Sequence, residues 1–227
     1  MNIQYSKKKE ELRHDPVMES IIRAKQFVEQ RASYFTGGLI AVLFVVAFVF
    51  IYQSMRKSSV EKAQEAFGRA MSAFSSRDEE KAIELLTVVS DNHKHTPQAV
   101  YSAYILGTIF INRGQHDQAI EWLKLAVSKR TDVGFAGAAA LEALATAYEA
   151  KEDYDNAIAY GEKALNDRRL SYRRPEIRWK LALMQKNLNR FDEARRFCDQ
   201  VLADTLAVDL HQRVRNLRVE MDLAGKS

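Results

Sequence analysis

The densest set of chemistry-bearing side chains in the sequence is Asp91-Asn92-His93-Lys94-His95, where possible metal ligands alternate. Carboxylate and imidazole at this spacing hold a divalent metal only where a third and fourth ligand converge, and the sequence places none nearby. The single cysteine, Cys198, follows Phe197 in a helical apolar pattern, which makes it a packing residue rather than a nucleophile. His14, His116 and His211 stand alone. No glycine-rich phosphate loop, nucleophile elbow, H-E-x-x-H helix or paired-carboxylate arrangement is found. The reading is of a protein that is not an enzyme, with no catalytic residue, metal or cofactor.

Charge offers a second kind of chemistry. Arg168, Arg169, Arg173, Arg174, Arg178 and Lys180 fall within one linker and helix start. Residues 59–167 carry 11 basic and 17 acidic side chains, a balance of −6, whereas residues 168–218 carry 13 and 6, a balance of +7. Such a patch steers an acidic partner, an anionic lipid surface or a nucleic acid, or it is simply a solvated helix face. Nucleic acid is the least supported partner, because no recognition motif accompanies the patch and the whole chain carries only +4.

The elements that position these residues are helices. The 227 residues are 47% hydrophobic and 28% charged, with nine Gly and three Pro, which excludes collagen-like, disordered and turn-rich all-β chains. One cysteine excludes an intrachain disulfide framework. Residues 32–55 contain no Asp, Glu, Lys, Arg or His, and their centre, from Leu39 to Ile51, is continuously apolar. As a helix, this stretch exceeds the ~30 Å hydrocarbon core of a bilayer. Tyr34, Phe35 and Tyr52 sit at belt positions, with Arg31, Arg56 and Lys57 outside them. The run is longer than a signal-peptide core and lacks a small-x-small cleavage site, so it reads as an uncleaved single-pass anchor. Basic residues flank it on both sides in nearly equal number, so charge bias gives only a weak orientation.

Ahead of the anchor, Asp15-Pro16 is a helix-start pair, and Val17, Ile21, Ala24 and Val28 recur at helical spacing beside Arg23, Lys25 and Arg31. This helix is open to three readings: an amphipathic helix on the inner leaflet, a partner-binding helix, or a plain extension of the anchor. The first dozen residues, with Lys7-Lys8-Lys9-Glu10-Glu11, read as mobile and solvated.

Behind the anchor the chain repeats. Ala82, Ala119, Ala157 and Ala194 align at spacings of 37, 38 and 37 residues. Four residues after each stand Leu86, Leu123, Gly161 and Cys198, and twelve before stand Ala70, Gly107, Ala145 and Ala182. Small residues let two antiparallel helices approach, and large ones fill the space between them. Turns fall at Arg77-Asp78, Gly114-Gln115, Glu152-Asp153 and Asn189-Arg190. One hairpin cannot bury its own apolar face, so neighbouring hairpins must stack. A final helix with Leu206, Leu210, Val214, Leu217 and Met221 reads as a cap, or less readily as a dimer contact.

Leu106-Gly107, Phe110, Gly114, Ala119, Leu123 and Ala126 in the second unit, and Leu141, Leu144-Ala145, Tyr148, Ala157 and Ala164 in the third, resemble the tetratricopeptide repeat. The outer units depart from that pattern at Arg69, Gln185 and Cys198, no repeat-ending proline is present, and the period exceeds the usual ~34. The layout of basic segment, single anchor and elongated repeats also resembles bacterial inner-membrane ancillary subunits of the Sec translocon. The expected fold is all-α: a cytosolic segment (1–31), an anchor (32–55) and an α-solenoid (56–227). Its four helix pairs lie at about residues 63–96, 100–133, 138–171 and 175–208, with a cap at 206–223.

The repeat resemblance implies that the first helix of each pair lines a concave groove. Its inward positions would be Gln64, Phe67, Met71 and Phe74, then Tyr101, Tyr104, Thr108 and Ile111, then Ala139, Glu142, Thr146 and Glu149, then Glu176, Trp179, Leu183 and Lys186. Each aromatic is as readily core as groove, since one helical position separates the two. The Lys/Asn pattern of a carboxylate clamp is absent from these positions. The translocon resemblance implies a cytosolic N-terminus, a periplasmic repeat domain and protein partners: translocon subunits, chaperones or unfolded clients. The alternative function is an envelope-assembly or division coordinator that acts by self-association.

Overall fold

The computed structural model of the chain describes residues 16–30, 32–128 and 134–224. The Asp15 cap, the charged run at 7–11, Arg31 and the linker at 129–133 lie outside the described residues. Among the described residues every regular element is a helix. They are α1 (Pro16–Gln30), α2 (Ala32–Ser75), α3 (Glu79–Asn92), α4 (Pro97–Asn112), α5 (His116–Ser128), α6 (Gly134–Ala150), α7 (Tyr154–Asn166), α8 (Arg174–Asn187), α9 (Phe191–Leu202) and α10 (Val208–Ala224), with a 3-10 turn at Arg168–Arg173. The chain divides into two compact units, Met1–Lys57 and Ser58–Ser227.

In the first unit, α2 is long and apolar enough to cross a membrane, with a window of mean hydropathy 2.3 of which 0% is buried. A core helix of a water-soluble domain hides such side chains against protein. Here Leu39, Ile40, Phe44, Phe48 and Phe50 are all exposed.

The second unit is a stack of helical hairpins. Its first pair is the part of α2 from Ser58 together with α3, followed by α4/α5, α6/α7 and α8/α9. The aligned alanines Ala82, Ala119, Ala157 and Ala194 have no exposed surface, as expected of the points where helices touch. Between α4 and α5, Gly107 faces Leu123 so closely that an added Cβ would stand 2.4 Å from Leu123 Cγ. In the third pair both positions are small, Ala145 and Gly161, and Leu181 from α8 of the next hairpin fills the gap, its Cδ2 2.8 Å from where a Cβ on Gly161 would stand. The large side chain that fills the gap thus comes from the same hairpin in the second unit and from the next hairpin in the third.

Each hairpin turns in the same way. Arg77, Gly114, Glu152 and Asn189 all adopt left-handed backbone, with φ of 59°, 70°, 59° and 58°. The following N–H reaches back over the helix end: Gln115 donates to the Phe110 carbonyl at 2.9 Å, and Asp78, Asp153 and Arg190 donate likewise to Ala73, Tyr148 and Gln185. This closes carbonyls that the helix end would otherwise orphan. On the entry side, the Asp78 and Asp153 carboxylates accept the N–H of Lys81 and Asn156, capping α3 and α7. Thr96 caps α4 just ahead of Pro97.

Ion pairs mark each junction between hairpins. Arg113 pairs with Glu79 and Glu80 of the preceding unit, Lys151 with Asp117, and Arg190 with Asp155 at 2.9 Å. In every case a cation at the hairpin turn meets an acid in the first turn of the previous second helix. α10 covers the last hairpin with Leu210, Val214, Leu217 and Met221. Leu206, part of the periodic stripe in sequence, is 92% exposed, and Ala207 is buried in its stead. The turn from Asp204 to Ala207, closed by the Ala207 N–H on the Asp204 carbonyl, rotates Leu206 away before the helix begins.

Candidate functional site

Most of the residues that the repeat pattern aims inward, Glu176 among them, are half-buried, but Gln64 is exposed and Ala139 buried. Phe67, Met71, Tyr101, Tyr104, Thr108, Ile111, Glu142, Thr146, Glu149, Trp179, Leu183 and Lys186 are all half-buried, whereas Phe74 is 41% exposed. The aromatics stand with their bases on the core: Phe67, Tyr101, Tyr104 and Trp179 all pack against it. Phe67 and Tyr101 meet across the first two units with centroids 6.4 Å apart.

Between the second and third units the row opens into a cleft of about 340 Å³, lined by Tyr104, Phe135, Ala139, Glu142, Ala143, Thr146, Tyr172 and Arg173. Alanines at 139 and 143 are what leave the space. Phe135 stands one helical turn ahead of Ala139, on the same face of α6. Its ring stacks on Tyr172 with centroids 6.2 Å apart, and Tyr172 is 65% exposed at the lip. Sequence reasoning missed both rings. Phe135 was findable by stepping back four residues from Ala139, but Tyr172 lies in the 3-10 turn, outside any helical register.

The polar wall of the cleft is centred on Glu142. Arg173 grips its carboxylate with two parallel bonds, Nε to Oε2 at 3.1 Å and the guanidinium terminus to Oε1 at 2.6 Å. Lys180 Nζ stands 3.3 Å from both Glu142 Oε1 and Thr146 Oγ1. Burial alone would raise the Glu142 carboxyl, but the Arg173 bonds and the Lys180 charge outweigh it and hold the group below the usual carboxylate range. Glu149, one turn after Thr146 on the same helix, lacks such a grip. Burial raises its carboxyl, opposed only by Lys180. The Tyr104 hydroxyl is also pushed up, by burial first and then by the Glu142 charge.

The six cations that the sequence groups into one patch are divided by the structure. Arg173 and Lys180 join the cleft. Arg169 donates to the Gly134 carbonyl at 2.8 Å and pairs with Asp167, while Arg174 Nε reaches the Leu165 carbonyl. These bonds fasten the 3-10 turn, which packs between α6, α7 and α8. Arg168 is exposed and Arg178 half-buried. Among the described residues no three His, Cys, Asp or Glu converge on a metal position. Cys198 is buried where the first two units carry Leu86 and Leu123, and burial pushes its thiol up to about 11.

The family profile described as "Tetratricopeptide repeat-like domain" matches residues 25–212, far more than half of the chain. The chain belongs to this tetratricopeptide repeat-like family. Solved structures agree on the fold. A MamA variant aligns with a TM-score of 0.56 at 20% identity over 72% of this chain and 83% of its own. A MamA structure from AMB-1 gives 0.53 at 19% identity, over 71% and 88%. The TPR-like repeats of a putative kinesin light chain from Podosopora anserina give 0.50 at 21%, over 62% and 73%. No curated protein matches the sequence significantly. At these identities the likeness is one of fold, and the tetratricopeptide-like fold is that of a protein–protein interaction scaffold.

Proposed function

We propose that this tetratricopeptide repeat-like chain is a membrane-anchored scaffold that takes extended segments of partner or client proteins along the row of half-buried residues. The observation that carries the reading is the cleft, in which Tyr104, Phe135 and Tyr172 offer ring faces beside the Glu142–Arg173 pair. Rings give contact area at low conformational cost, and the polar wall supplies donors and acceptors for a peptide backbone. Phe67, Tyr101 and Trp179 extend the apolar surface to either side. The exposed apolar run of α2 supports the anchor, since a bilayer removes from water what no protein surface covers. In this reading the N-terminus is cytosolic, the repeats face the periplasm of a bacterial inner membrane, and the partners belong to the secretion translocon, its chaperones or their unfolded clients.

Self-association receives less support. It would draw on the acidic and basic ends of the array, and four of the six patch cations are already bonded within it. The test is anisotropy of fluorescent, unfolded client peptides against the full chain in nanodiscs. Tyr104→Ala together with Tyr172→Ala should weaken binding by about tenfold or more, equivalent to ~1.4 kcal/mol. Equal binding by the parent and the double variant would remove the cleft from the mechanism.

A further inference from the structure

α1 is a 15-residue helix whose first two turns segregate their side chains. At about 100° per residue, Val17, Ile21, Met18 and Ile22 cover an arc of roughly 140°. All four are exposed, by between 45% and 63%. On the opposite side Glu19 and Arg23 form a 2.9 Å ion pair, with Gln26 exposed beside them. In the later turns the segregation is weaker: Lys25, paired with Glu29 at 3.8 Å, falls in line with the middle of the arc, where its long stem can lie on an apolar surface while the ammonium reaches water, and exposed Phe27 falls on the polar side.

What covers the apolar arc follows from where α1 ends. One residue separates Gln30 from the start of α2, and one residue spans at most about 3.6 Å. If α2 crosses a bilayer, the C-terminal end of α1 is therefore held at the membrane surface. A helix of about 22 Å tethered there has two courses. Projecting into water leaves four apolar side chains wet, whereas lying down places them at the headgroup–acyl boundary and leaves Glu19, Arg23 and Gln26 in water.

We propose that α1 lies along the membrane surface as an interfacial helix, with Val17, Met18, Ile21 and Ile22 facing the acyl chains. The occupant of its apolar face is lipid, and the proposal rests on the membrane reading of α2. It adds a second membrane contact to the anchor and fixes the plane in which the chain leaves the bilayer.

Single cysteines at Met18, Ile21, Ile22, Glu19 and Gln26, each labelled with an environment-sensitive NBD group, test this in the full chain. Native Cys198 is buried and should take no label in the folded protein, with the unsubstituted chain as the control. The protein is reconstituted in phosphatidylcholine–phosphatidylglycerol vesicles doped with nitroxide lipids. Labels at 18, 21 and 22 should be quenched by the nitroxide lipids at least twofold more than labels at 19 and 26, with aqueous iodide giving the reverse order. Uniform iodide quenching means that the helix projects into water, and uniform lipid quenching means that it merely continues the span. Blue-shifted labels at 18, 21 and 22 without lipid quenching mean that protein covers the face. Each of these three results overturns the proposal. A label at Phe44→Cys separates the two readings. If it is deeply quenched while the α1 pattern is absent, α1 alone is misread; if it is not quenched, the span fails and α1 falls with it.

Discussion

Two carboxylates on one helix face, Glu142 and Glu149, are set in opposite electrostatic conditions. Glu142 is held ionised by Arg173 and Lys180. Its folded-state carboxyl lies below its unfolded value, so its contribution to stability is complete above the ordinary carboxylate range and is lost as pH falls through the folded value. Glu142→Gln should cost about 2 kcal/mol near neutrality, since two cations lose a charged acceptor. The cost should shrink in acid, as read from urea midpoints across pH. Glu149 is raised by burial and works with the other sign. Its ionised form opposes folding above the folded value, so Glu149→Gln should raise the urea midpoint at neutral pH and change little below pH 4 or so. A midpoint unchanged at neutrality would mean that Lys180 compensates in full. The inward position of Glu142 is legible in the sequence from the repeat register. Its partners are not, because Arg173 and Lys180 lie 31 and 38 residues away, and a 3-10 turn rather than a helical period delivers Arg173.

Helix pairing is the part of the fold most plainly written in the sequence, because the small residues of each unit recur at constant spacing and all are shielded where they meet a neighbour. Gly107→Ala should therefore be costly despite the better helix propensity of alanine. Leu123 must move, and overpacking of this kind costs about 1–3 kcal/mol. In a double-mutant cycle the cost of Gly107→Ala should shrink once Leu123→Ala has removed the side chain that it meets, although Leu123→Ala is itself costly because Leu123 is fully buried. All four turn positions are legible in the sequence, but the conformation they share is less so. Gly114 announces its left-handed backbone and Asn189 tolerates it, but Arg77 and Glu152 adopt the same conformation with side chains that do not advertise it. The reason is that the reach-back bond onto the helix end fixes the turn whatever residue carries it. Replacing Glu152 by glycine should raise stability by about 1 kcal/mol by relieving left-handed strain, measured by thermal unfolding. Destabilisation would show that the side chain contributes more than its backbone costs.

At the scale of the whole molecule, orientation is the expectation with the widest consequences. The basic residues on either side of the apolar run nearly balance, so the sequence has no strong electrostatic reason to choose a direction. Protease added to the periplasmic face of cells with a permeable outer envelope should digest the repeat unit while a cytosolic control survives. Digestion only after lysis would reverse the orientation and move the partners to the cytosol. The end of the array was also legible, apart from one residue. The stripe of α10 was placed one turn too early at Leu206, because a tight turn and a helix start look alike in an apolar pattern.

The ion pairs between hairpins lie in reach of solvent, which screens them, so their meaning is not mainly energetic. Each junction presents an acid forward and a cation backward, and the polarity never changes along the chain. The charge matching is therefore of one kind at all three junctions. Removing the third hairpin whole would bring Arg190 to Asp117, a match of the same kind as the one lost. As far as charge is concerned, the groove could then lengthen or shorten by complete steps without leaving a mismatched pair.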